Sequence, residues 1–101
     1  MIRNFRTYDL AVLFFKNCKE LKMKGVAQNQ FDRAVLSIPL NLAEGSAKPS
    51  RKDRRKFYYI AFGSLREVQA ILQLEELKYY FDQSDRLGAC LYKLIQNPGG
   101  R

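Results

Sequence analysis

Apolar residues recur at helical spacing along most of the chain. Tyr8, Ala11, Val12, Phe15 and Cys18 share one face, widened by Leu10, Leu13, Phe14 and Leu21, which predicts a first helix over about residues 7–24. Lys16, Lys19, Glu20, Lys22 and Lys24 form its solvent side, and Gly25 is placed to end it as a C′ residue. A second helix is predicted from an N-cap at Asn29 to Glu44, with Gly45 as its stop signal. Phe31, Ala34, Val35, Ile38 and Leu42 line one of its faces, while Leu36, Leu40 and Ala43 cover another. A helix apolar on most of its circumference is buried on more than one side.

The third helix has the clearest start. Ser50 is a good N-cap, and Asp53 three residues later resembles a capping box. Apolar positions from Phe57 through Ile60, Ala61, Leu65, Val68 and Leu72 to Leu77 extend the pattern over residues 51–78. Gly63-Ser64 in its middle reads as a small-residue spot for close approach of another backbone. Asp82 is the expected cap of a fourth helix, with Leu87, Cys90, Leu91, Leu94 and Ile95 as its buried stripe and Asn97-Pro98-Gly99-Gly100 as its end. No run alternates with period two. The pattern gives an all-α chain, an antiparallel up-and-down four-helix bundle joined by short loops.

Composition narrows the function more than the fold. The 101 residues suit one domain spanning 1–101, and an apolar fraction of 47% is that of a folded chain. The longest apolar runs, Leu10–Phe15 and Phe57–Phe62, are far short of a membrane span, so no membrane partner is expected. Met1-Ile2-Arg3-Asn4-Phe5 leads straight into a charged stretch, so no secretory leader and a cytoplasmic location are expected. Cys18 and Cys90 read as reduced small hydrophobes. The chain has no histidine and no Cys-x-x-Cys spacing, so no metal, no cofactor and no enzymatic activity are expected. Eighteen Lys and Arg against ten Asp and Glu give a net charge of +8, which favours a polyanionic partner.

The stretch from Phe31 to Val68 resembles the four-helix-bundle proteins encoded by intervening sequences within bacterial large-subunit ribosomal RNA genes. The shared pattern is Arg33-Ala34, Ser37-Ile38-Pro39, Asn41, Ala43-Glu44-Gly45, the basic run over 48–56, and Gly63-Ser64 with Glu67. The accessory variability determinant proteins of diversity-generating retroelements look like relatives. The chain departs from the family pattern in a short link at Gly25–Gln28 and in lacking tryptophan. The resemblance implies a left-handed bundle that assembles as a homopentamer, with no established enzymatic activity.

Three residues of this pattern need a physical account. Pro39 removes the helical donor to the Val35 carbonyl, and Ser37 and Asn41 lie within a turn, placed to bond freed backbone or a neighbouring helix. Glu44 stands unfavourably near a helix C-terminus and calls for a basic partner, either Arg33 or the arginines of 51–55. These are either helix-end devices or, in Asn41 and Glu44, contacts of a polar binding site.

The run KPSRKDRRK carries Lys48, Arg51, Lys52, Arg54, Arg55 and Lys56 around one acid, Asp53. Cations in a first helical turn oppose the dipole by about 0.3–1 kcal/mol each. Arg51, Arg55 and Tyr58 share one helical face, and Lys52, Lys56 and Tyr59 the next. Bases beside aromatics suit nucleic acid, though a protein contact or a merely solvated face has the same composition. The expectation is an oligomeric bundle binding RNA or DNA through these six cations. The alternative is a protein-interaction adaptor that uses the apolar surface of the first two helices.

Overall fold

Ser50 does what its place in the sequence predicts: its hydroxyl accepts the Asp53 N–H at 3.1 Å and opens a helix at Arg51. That helix is one of four in the computed structural model, which describes residues 2, 5–23 and 25–99. Expectations resting on Met1, Arg3, Asn4, Lys24 and Gly100 lie outside the described residues. The helices are α1 (Arg6–Cys18), α2 (Val26–Ser46), α3 (Arg51–Leu74) and α4 (Lys78–Gln96), with no strand among the described residues. The chain is all-α.

Packing contacts join α1 to α2, α2 to α3, α3 to α4 and α4 back to α1, so the helices follow chain order around a four-helix bundle. Cross-links fix the registers. Ser37 meets Ser64 and Gly45 meets Tyr58 between α2 and α3. Arg55 meets Ile95 and Gln69 meets Ser84 between α3 and α4. In these two pairs, α2 with α3 and α3 with α4, the numbers fall on one helix as they rise on the other. The core is drawn from all four, with Phe14, Phe31, Ile38, Leu42, Tyr58, Leu65, Leu72, Leu87 and Leu91 buried. No helix among the described residues is long and apolar enough to cross a membrane.

Several boundaries differ from the sequence expectation. The first helix stops at Cys18, not near 24; Leu21 and Met23 still pack on the core, but from the connecting segment. Gly25 is the N-cap of α2 rather than the stop of α1, and its φ of 62° is a left-handed conformation that only glycine adopts freely. Asn29 therefore lies inside α2, whose first turn begins three residues earlier.

Gly45 does not end α2, which runs through it to Ser46. α3 ends at Leu74, where the Leu77 N–H reaches the Leu72 carbonyl and the Glu76 N–H the Gln73 carbonyl. This is a Schellman closure with Glu76, at φ 56°, where glycine is usual. α4 starts at Lys78, so Asp82 is not its cap but the i,i+4 ion-pair partner of Lys78 at 3.1 Å.

Candidate nucleic-acid interface

The basic run lies where the start of α3 meets the chain ends of two neighbours. Arg54 Nε donates to the Lys48 carbonyl at 2.7 Å, just beyond α2. Arg55 Nε donates to the Ile95 carbonyl at 3.0 Å, in the last turn of α4. An Arg51 terminal nitrogen donates to Asn97 Oδ1 at 3.1 Å, and Gly99 packs so closely on that guanidinium that a Cβ would lie 2.7 Å from it. Arg55 therefore faces a last-turn carbonyl of α4, Arg54 a main-chain carbonyl just past α2, and Arg51 a side-chain amide oxygen just past α4. In an isolated α3 they would oppose the dipole; in the bundle they also complement the negative ends of α2 and α4.

Each of these arginines spends one N–H of five in the bonds described, leaving donors on a held guanidinium. Lys48 pairs with Glu44 at 3.2 Å and stands 5.2 Å from the Phe57 ring centroid. Lys56 lies over the same ring at 5.9 Å. Lys52 is exposed and makes no hydrogen bond or ion pair among the described residues. Of the six cations, only Lys48 has a carboxylate partner among those residues. The run is gathered at one end of the molecule, and most of its charge is unneutralised.

Glu44 thus pairs with Lys48, one turn on, and not with Arg33 or the arginines of 51–55. Arg54 and Arg55 are turned to main-chain acceptors and Arg51 to the Asn97 side chain, and none of the three pairs with it. Ser37, Asn41 and Ser64 form one polar knot. Asn41 Nδ2 donates to the Ser37 carbonyl and hydroxyl at 2.9 Å each, and Ser64 Oγ donates to Ser37 Oγ at 2.8 Å. Ser37 is the link to the neighbouring helix and Asn41 the link to backbone. Pro39 is buried inside α2 without ending it.

Neither glycine holds its expected role. A Cβ on Gly45 would lie 2.7 Å from Tyr58 Cε1 and 3.0 Å from Phe57 Cβ, so this is the point of close approach. Gly63 is exposed, and a Cβ there would meet nothing within 4 Å. Gly63-Ser64 is therefore not a close-approach site within the chain; only Ser64 carries a contact.

Tyr58 is core, set edge-on to Phe5 at 6.2 Å, whereas Tyr59 is 58% exposed. Cys18 is buried, and desolvation pushes its thiol up to about 12, so it stays protonated and packs as a small hydrophobe. Cys90 is half-buried and also free. Sequence reasoning missed Asn97 and the Ile95 carbonyl as acceptors; their only signal is the Asn97-Pro98 break after a helical stripe, which marks unpaired carbonyls. It also missed Tyr92, which is 54% exposed on α4.

A family model described as 23S rRNA-intervening sequence protein matches residues 5–95 of the chain. Neither a curated protein nor a solved structure matches it.

Proposed function

The chain belongs to the 23S rRNA-intervening sequence protein family, and from that premise we propose a non-enzymatic, oligomeric four-helix bundle that binds RNA or DNA through the cations at the start of α3. The observation that carries the reading is the cluster of Arg51, Lys52, Arg54, Arg55 and Lys56 without a carboxylate partner among the described residues, in a chain of net charge +8. Neutral main-chain carbonyls hold Arg54 and Arg55 in place but leave their charge without a counter-ion, and a polyanion supplies the missing charge. The absence of histidine in the sequence supports the non-enzymatic part.

The proposal includes an antiparallel up-and-down course, which fits the opposed numbering of the cross-helix pairs, and the left-handed turn implied by the family resemblance. It includes the homopentamer on the same ground. Leu36 and Leu40, 44% and 58% exposed on the outer side of α2, are apolar surface that a second copy would cover. A cytoplasmic location belongs to the same reading.

Those leucines also favour a second reading, an adaptor that docks a protein such as a reverse transcriptase on α1 and α2. A groove of about 460 Å³ there is lined by Phe15, Met23, Phe31, Val35 and Leu36.

The structure decides how to test the first reading. Arg54→Gln and Arg55→Gln would remove bonds that hold the bundle end, so the informative variant is Lys52→Gln with Lys56→Gln. It is expected to keep native helicity by circular dichroism and to bind labelled RNA or DNA about ten-fold more weakly in anisotropy titrations, a change of about 1.4 kcal/mol. Unchanged affinity would reject the basic run as the binding site.

A further inference from the structure

We propose that Tyr59 and Tyr92 form a stacking platform for the bases of a single-stranded nucleic acid whose phosphates lie on Lys52, Lys56 and Arg55. This rests on the nucleic-acid reading above and narrows it to a substrate class.

The tyrosines of this chain fall into two groups. Tyr8 stacks with Phe5, Tyr58 is buried against Phe5, and Tyr79 and Tyr80 meet edge to face at 5.2 Å. Tyr59 and Tyr92 are 58% and 54% exposed, and neither has a ring partner or a hydrogen bond among the described residues. Both have large aromatic area in water with no structural use within the chain.

Their placement follows from the register of α3 on α4. Arg55 Nε is bonded to the Ile95 carbonyl. Tyr59 follows Arg55 by four residues and Tyr92 precedes Ile95 by three, and those spacings keep side chains on one helical face. Both rings thus stand one turn along from the same inter-helix bond, away from the bundle end. Lys52 and Lys56, both exposed, precede Tyr59 on its own stripe. Arg66 follows one more turn pair along, 5.2 Å from the Phe62 ring. From Lys52 to Arg66 the stripe is about 21 Å long, enough for a short single strand.

Cations that track a backbone, interleaved with free aromatic faces, suit unpaired bases. In a duplex the base faces are stacked on one another and closed to a side chain, so rings in this position add nothing to duplex binding. Single strands should therefore bind more tightly than duplexes of equal charge.

The chain has no tryptophan, so Tyr59→Trp and Tyr92→Trp each introduce a sole reporter indole. Each full-length variant is titrated with an oligothymidylate and with a duplex of equal phosphate number, following indole fluorescence and the anisotropy of a labelled strand together. The expected result is saturable quenching of both indoles by the single strand, in step with the anisotropy, and little quenching by the duplex. Tyr59→Ala and Tyr92→Ala should each weaken single-strand binding about ten-fold and leave duplex binding unchanged. Single-strand binding seen by anisotropy with both indoles unquenched would overturn the platform and leave the basic run standing. Equal quenching by duplex would also overturn it. No binding of either nucleic acid by the native chain would overturn the basic-run reading, and the platform with it.

Discussion

At Gly45 α2 leaves no room for a side chain, because Tyr58 Cε1 occupies the space 2.7 Å from where a Cβ would be. Tyr58 is itself 1% exposed and cannot swing away into solvent. Gly45→Ala therefore overpacks the α2–α3 contact and should cost about 1–3 kcal/mol in urea unfolding. Gly63→Ala should do the reverse. It fills open space in a helix interior, where alanine is favoured over glycine by about 0.5–1 kcal/mol. A loss of stability at Gly63→Ala would mean that this position packs against another copy.

At the scale of the element, α3 cannot be understood alone. The first-turn arginines look misplaced for an isolated helix, yet Arg54 and Arg55 each donate from Nε to a carbonyl at the end of a neighbour. Arg55→Gln should lower stability by about 1.5 kcal/mol, the scale of a hydrogen bond from a charged group. Lys52→Gln should stay within about 0.5 kcal/mol, as an exposed side chain with no partner does. Equal urea midpoints for the two variants would contradict the anchoring role of Arg55.

The same dependence on neighbours explains what was legible in the sequence. The four apolar stripes and the Ser50 cap are local, and they were readable. The end of α3 was not, because its left-handed closing residue is Glu76, which carries no glycine signal. Gly45 and Gly63 look alike in a sequence, and only the position of Tyr58 assigns the close approach to the first. The basic run was visible as a charge cluster. Its division into anchored arginines and free lysines was not, because the acceptors lie some forty residues away on α4 for Arg55.

At the scale of the whole molecule, a charge of +8 with its densest cluster at one end produces a field that reaches a polyanion before contact. That field is screened over about 8 Å at physiological salt, so affinity must depend steeply on ionic strength. In an oligomer the patch would recur on each copy, and several weak contacts on one strand would combine.

The most direct measurement is the slope of log affinity against log salt for a labelled single strand, on the native chain and on the Lys52→Gln, Lys56→Gln variant. Removing two phosphate contacts should make the slope shallower by about 1.4, at about 0.7 per charge on a single strand. Parallel lines of equal slope would show that neither lysine meets a phosphate, and would contradict the assignment of the α3 cations to nucleic acid.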